Sequence, residues 1–355
     1  MRSSSLASSK KLLEAAAEAQ HVERERAHDR ELASLRLQLS IANQKYKAAT
    51  ADLENTQRTL ECALLMDGNK QSAKFEKLAK NPNSESSAIV VLNDWHAEET
   101  VDPDTINGLN EFNLDIAAKR IERTFQKIPE LLDSFSKFTR IRQLVLAMLG
   151  DMITGYLHPE LEESNGLSPT EASLFVHDQL RAGINFLIRS KCVESIVAPC
   201  TDGNHGRTTH KPRHSTRYKN SHEWLLYHHL AKSYRDEPKI AFKIEKGIHN
   251  WLTIQGHDVR FQHGDNIKYQ GGVGGISIPV NKAIAQWNIS RRAALDVFGH
   301  WHQSIQTDKW VCCNCLIGYS AHALSIKAAF ERPAQTLIVM SKEHGKVLAM
   351  NIHCE

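Results

Sequence analysis

Five short apolar runs in the 355-residue chain each end in a cluster of Asp, Asn or His, and this ordered series constrains the fold more than any other feature. AIVVL at 88–92 leads into Asn93-Asp94-Trp95-His96, and the run 143–149 leads into Gly150-Asp151. SIVAP at 195–199 is followed by Gly203-Asn204-His205, VRFQ at 259–262 by His263-Gly264-Asp265, and LDVF at 295–298 by Gly299-His300-Trp301-His302. Runs of this length and composition read as buried strands. Helical spacing of apolar residues predicts helices near 111–138, 171–190 and 224–234, with further strands near 315–319, 335–341 and 346–352. Strands alternating with helices indicate the α/β class. Such sheets bind ligands in crevices outside the carboxyl ends of their strands.

Spacing i, i+2 in extended chain points two side chains the same way. Asp94 with His96, and His300 with His302, are therefore expected to aim at one point. Mixed carboxylate, amide and imidazole donors suit borderline divalent ions: manganese, iron, zinc or nickel. Each cluster alone is a weak signal, because a lone histidine on an apolar strand is more often a core residue. The weight lies in the order: DxH, GD, GNH, HG and GHxH, each after a strand.

With these residues in hand, residues 88–352 resemble the calcineurin-like metallophosphoesterase superfamily. The resemblance implies a β-sandwich of two sheets flanked by helices and a dinuclear metal centre, for which manganese is the expected ion. Asp94, His96, Asp151 and His302 would hold one ion; Asp151, Asn204, His263 and His300 would hold the other. His205 would be the catalytic group facing the phosphate. The chain departs from the family pattern where Gly206 and Arg207 follow the GNH histidine, and where Met-Ile-Thr-Gly follows Asp151, places at which the family often carries an acidic residue.

The segment 207–222 (RTTHKPRHSTRYKNSH) holds Arg207, Lys211, Arg213, Arg217 and Lys219 and no acidic residue. Lying directly after the GNH cluster, it is expected to track a nucleic-acid backbone, with Arg207 on a phosphate oxygen and Tyr218 and Trp224 placed to stack on bases. The expected activity is thus a DNA or RNA nuclease; the alternative is a phosphomonoesterase acting on a phosphoprotein or small molecule. The pattern is similar to that of the superfamily's DNA-repair exonucleases and of phage-encoded members. A net charge of +3 adds little to the choice. Gly271–Gly275 lacks the Lys-Ser/Thr of a nucleotide P-loop and is read as a loop on the rim. Cys312 and Cys315 have CxxC spacing but no second pair, so they are read as reduced cysteines in or near a strand.

Residues 1–80 differ in texture. They lack proline, and Leu32, Leu35, Leu39, Ala42, Tyr46, Ala49, Leu53, Thr56 and Leu60 follow 3-4 spacing. That is a heptad pattern of about four repeats, expected to form a long helix that joins copies of the chain, a dimer by default. Residues 81–87 read as a linker and 88–355 as the catalytic domain. No apolar run reaches the ~20 residues of a membrane helix and no signal peptide is apparent. A cytoplasmic location is expected, that of the host if the chain is phage-encoded.

Overall fold

The computed structural model describes residues 3–68, 84–268 and 275–355. The chain divides into two units, Met1–Ala79 and Lys80–Glu355. In the first, a single helix α1 spans Ser3–Gly68. Nothing in its interior breaks the backbone ladder: it has no proline, and its one glycine is the last residue. The heptad positions Leu35, Leu39, Tyr46, Leu53 and Leu60 are exposed.

The second unit opens with β1 (Glu85–Leu92). It continues through α2 (Leu114–Ser136), β2 (Arg140–Met148), α3 (Pro159–Ser164), α4 (Pro169–Ser190) and β3 (Ser195–Cys200). Next come α5 (His222–Ser233), β4 (Ile240–Ile244), β5 (Asn250–Ile254), β6 (His257–Phe261) and α6 (Ser277–Trp287). The chain ends with β7 (Leu295–Phe298), β8 (Ile305–Gln306), β9 (Trp310–Cys312), α7 (Ala321–Ser325), β10 (Ala334–Ser341) and β11 (Gly345–His353). The first strand starts at Glu85, so residues 85–87 of the expected linker belong to the sheet; 81–83 lie outside the described residues.

Two sheets form, a six-stranded one in the order β11-β10-β1-β2-β3-β4 and a five-stranded one in the order β5-β6-β7-β9-β8. Strands β1 to β4 run parallel, as do β6, β7 and β9, so within each sheet these strands present their carboxyl ends at one edge. Alternation along the strands builds two faces. Ile89, Val91, Val145 and Ala147 of the larger sheet pack with Val259, Phe261, Leu295 and Val297 of the smaller one. The intervening residues Val90, Leu92, Leu144 and Leu146 pack under α2, α4 and α5 through Ile121, Phe125, Leu180, Ile184 and Leu230. Helix α6 covers the outer face of the small sheet, with Val280 and Ile284 on Phe298 and Trp310. The architecture is a mixed α/β sandwich of two sheets with helices on the outside.

The strand expected near 315–319 is absent. The strand of this region is β9, and Cys313–Tyr319 form a buried coil. Burial on every side gave the segment a strand's apolar composition, but several of its carbonyls are satisfied by side chains. Arg120 Nη1 donates to Leu316 O and Ile317 O at 3.0 and 2.8 Å, and Asn110 Nδ2 donates to Ile317 O and Tyr319 O at 2.9 Å each. Cys312, Cys313 and Cys315 are free thiols, all buried here.

A fully buried ion pair ties β6 to β7: Arg260 reaches Asp296 at 2.6 and 3.0 Å, its guanidinium sandwiched between Trp251 and Trp287 at 5.1 and 5.2 Å from the ring centroids. Truncating one partner strands the other's charge in the interior. Arg260→Ala is expected to destabilise the unit by about 3–5 kcal/mol in chemical denaturation; a loss below about 1 kcal/mol would show that the pair is incidental.

Candidate metal centre

All five predicted clusters arrive at the carboxyl edge of the sandwich. Asp94 and His96 follow β1, Asp151 follows β2, Asn204 and His205 follow β3, His263 follows β6, and His300 and His302 follow β7. Three groups of these side chains have donor atoms within 4.8 Å of one another: Asp94, His96 and His302; His96, Asp151 and His205; Asp151, His263 and His300. Asn204 joins through its Oδ1, 3.1 Å from His263 Nε2. The first and third groups each draw on both sheets.

The i, i+2 pairs converge for a different reason from the one expected. Asp94, His96, Asp151, His300 and His302 all have left-handed backbones, with φ between 46° and 69°. The chain has left the strand at these positions and curls, turning side chains inward that an extended backbone would carry past. Such conformations are unusual for residues with a Cβ and cost about 1–3 kcal/mol each. Neighbouring backbone holds them: Asp94 N donates to Gly150 O at 3.0 Å, His96 N to Asp151 O at 3.1 Å, and His300 N to the Asp94 Oδ2 carboxylate at 2.7 Å. Gly203 and Gly299 are required by close approach, since a Cβ at either would collide with the Asp151 or Asp94 carboxylate.

Burial and charge set the protonation of the group. Asp94 and Asp151 are removed from water, which raises their pKa, but His302 and His263 respectively outweigh burial and hold both carboxyls below the usual range. His263 loses to burial but gains more from Asp151 and Asp94, and is lifted to about 10. Its Nδ1–H donates to Leu149 O at 2.8 Å, so Nε2 faces Asp151 Oδ2 at 2.9 Å. His96 is driven well below its ordinary value, by burial first and then by His205, and His300 falls to about 4, by burial and then by His263. Both are neutral imidazoles, the form that binds a metal. One buried donor atom, His96 Nε2, has no hydrogen-bond partner, and Asp94 Oδ1 has only the long contact to His302 Nε2 at 3.5 Å. An orphaned polar atom at this depth is costly unless a cation satisfies it, and carboxylate, imidazole and amide donors are the set that divalent transition metals take. The residues fit such ions.

Several supporting residues escaped the sequence. Glu223 on α5, fully buried, accepts from Gly203 N and Met152 N at 2.6 Å each and so joins the GD and GNH loops; burial and then Asp151 raise its pKa to about 8. Glu98 accepts from Thr154 N and Gly155 N at 2.8 Å, and burial raises it to about 7. These carboxyls reach loops in which no acidic residue directly follows Asp151 or His205. The signal for Glu223 was its place in the buried stripe Glu223, Leu226, Tyr227 and Leu230. From β10, Gln335 Oε1 accepts from Asn93 N at 3.0 Å and Trp95 Nε1 at 2.9 Å, gripping the turn that carries Asp94.

The basic segment divides. Arg217 does not stand free for a substrate: its guanidinium reaches Asp202 at 3.0 Å and Asp265 at 2.7 Å, with a further bond to Asp202 O. Sequence proximity to the GNH cluster suggested a ligand contact, but the two acids take its charge. Arg207 is turned into its own loop, donating to Asn204 O, Thr209 O and His210 O at 3.0 Å each. Lys211, Arg213 and Lys219 are exposed, and Tyr218 packs 5.4 Å from Trp224. The glycine-rich stretch lies outside the described residues except for Gly275.

No family model matches the chain, and no curated protein matches it. Solved structures do. Vps29 from Entamoeba histolytica, crystallised with zinc, is 10% identical over 76% of this chain and 99% of its own, with a TM-score of 0.29. Hypothetical protein PH1004 from Pyrococcus horikoshii is 13% identical over 75% and 88%, with a TM-score of 0.38. The phosphopantetheinyl hydrolase of Mycobacterium tuberculosis is 10% identical over 64% and 88%, with a TM-score of 0.27. At these scores the likeness carries no functional argument.

Arg217 joins the residue before Gly203-Asn204 to the residue two after His263, and so positions a candidate donor pair drawn from both sheets. Arg217→Ala is expected to weaken metal retention about 10- to 100-fold, read as metal content after dialysis against graded chelator, with the circular dichroism spectrum unchanged. Wild-type retention would make the clamp irrelevant to the site.

Proposed function

We propose that the chain is a metal-dependent phosphoesterase that hydrolyses phosphodiester bonds in DNA or RNA. The observation that carries this is the pair of donor groups, Asp94/His96/His302 and Asp151/His263/His300, with His96 and Asp151 also meeting at His205. Asp94, His96, Asp151 and His302 would hold one divalent ion and Asp151, Asn204, His263 and His300 a second, with manganese the expected metal. The chemistry such ions supply is Lewis-acid: charge is withdrawn from the phosphoryl group and water becomes a nucleophile near neutral pH.

The chain's own residues do the remainder. The His205 Nδ1–H donates to Thr154 O at 2.9 Å, the only role a carbonyl partner allows, which leaves Nε2 without a hydrogen bond among the described residues. Burial lowers its pKa against the pull of Asp151, so the ring is neutral near pH 7. An anionic phosphoryl group beside Nε2 favours the protonated form, and the proton held there is placed for the leaving oxygen. Leu149 O and Thr154 O fix the orientations of His263 and His205, so that neither ring must reorganise during the reaction.

Nucleic acid is favoured by Arg213, which lines a small hollow with Asn204, and by the exposed Lys211 and Lys219 nearby in sequence. Cations of this kind bind a phosphate backbone without reading sequence. The exposed heptad face of α1 supports self-association into a dimer. None of the described helices is long and apolar enough to cross a membrane.

End-labelled DNA incubated with manganese and protein is expected to be cut, with loss of at least about 100-fold in His205→Ala and complete loss in Asp151→Ala or after chelator treatment, reversed by added manganese. Equal cutting by wild type and His205→Ala would mark a contaminant. Cleavage of a phosphomonoester with DNA left intact would transfer the assignment to a phosphomonoesterase. In the full-length chain, Leu39→Asp with Leu53→Asp should reduce the mass measured by light scattering to that of one chain; an unchanged mass would refute association through α1.

A further inference from the structure

Glu331 lies in the coil that leads into β10, and its half-buried side chain lines the cavity in front of His96, Asp151 and His302. It belongs to none of the three donor groups. Both of its oxygens are engaged by the protein. Ser304 N donates to Oε1 and Oε2 at 3.0 and 2.9 Å, and Asn314 Nδ2 donates to Oε2 at 2.9 Å. Ser304 stands two residues after His302, in the coil between β7 and β8. Its hydroxyl donates to Asn351 Oδ1 on β11 at 2.9 Å, so this coil is held from two sides. Asn314 follows β9, and its carbonyl accepts from Asn93 Nδ2 at 3.0 Å, the amide that also donates to Asp94 Oδ2. Two residues on, Leu316 N donates to Asp94 O at 3.0 Å. One carboxyl thus ties the coil that carries His302 to the turn that carries Asp94.

The contacts call for a carboxylate at this position. Ser304 N and Asn314 Nδ2 are both donors, and an ionised carboxyl only accepts. Asn314 cannot turn its amide round to suit another partner. Its Oδ1 accepts from Cys315 N at 2.7 Å, and its Nδ2 donates also to Arg332 O at 3.0 Å. Arg217 acts at the other end of the site with the opposite charge. It gathers Asp202 and Asp265, beside Asn204 and His263. Glu331 gathers Ser304 and Asn314, beside His302 and, through Asn93, Asp94. The two clamps share no residue. We propose that Glu331 is the positioning residue of the Asp94/His96/His302 group, so that each candidate ion has its own clamp and the two can be lost one at a time. This rests on the two-ion reading above and adds to it which part of the chain governs each ion.

Calorimetric titration of manganese into the metal-free full-length chain reads the number of ions and the affinity of each. Wild type is expected to take two. Glu331→Ala should weaken one of them about 10- to 100-fold and leave the other as in wild type. Glu331→Gln keeps the shape and one acceptor, sets an NH2 group against one of the two donors, and should weaken the same ion; it serves if the alanine variant misfolds. Electron paramagnetic resonance adds a signature: the spectrum of a coupled manganese pair in wild type should give way to that of a single ion in Glu331→Ala. Arg217→Ala weakens the other ion, so the chain carrying both alanine substitutions should hold neither tightly. If that double variant keeps one ion at wild-type affinity, both clamps act on the same site and the proposal is overturned. Equal weakening of both ions in Glu331→Ala, the mark of a general loosening of the fold, overturns it too, as do two ions bound as in wild type. A wild-type chain that binds a single ion overturns the two-ion reading, and Glu331 then keeps its role only if Glu331→Ala weakens that ion. Binding of no ion by wild type overturns both.

Discussion

Two carboxylates, Asp94 and Asp151, are held at the seam of two β-sheets almost out of reach of water, and much of the surrounding structure answers to the charge they carry there. An isolated ionised carboxylate in such a place would take up a proton. Here backbone N–H groups of His205 and His300 donate to them, and imidazoles from the opposite sheet face them. The site is electrostatically complete only when elements from both layers are present. That is why a collection of loops, each unremarkable by itself, converges.

The outer ring of residues serves the same end by different means. Glu223, Glu98 and Gln335 contact no candidate donor atom directly, yet each takes backbone N–H groups from the turns that carry the donors. Arg217 does so by charge, bridging Asp202 and Asp265. The left-handed conformations at five donor residues are thereby held from several sides. Strain of this kind persists where the environment overdetermines it, which is typical of sites that must be ready before the ligand arrives.

Much of this was legible in the sequence because the donors follow apolar strands immediately, and strand ends in an α/β sheet share an edge. The five clusters could therefore be gathered without knowing a single contact. The reasoning failed where geometry is made by tertiary structure. Extended-chain alternation was the wrong account of the Asp94/His96 and His300/His302 pairs, because the curl of the backbone depends on partners from other strands. Glu223 and Gln335 were missed because their partners lie 20 and 242 residues away in sequence. The pairing of Arg217 went unseen because a run of positive charge says nothing about which acids fold back onto it. The segment 315–319 looked like a strand because burial, and not pairing, set its composition. Strands β4 and β5 went unseen because they are half exposed and five residues long, too short for a clear period.

The division of donors between the sheets has a mechanical side. The small sheet has strands of two to five residues, lengths that hold together poorly without help. Each donor group that spans the seam, one through His302 and the other through His263 and His300, acts as a rivet between the layers. Whatever occupies those groups would stiffen the sandwich as a whole, so that the resistance of the sheets to sliding and the state of the site are one property read in two places.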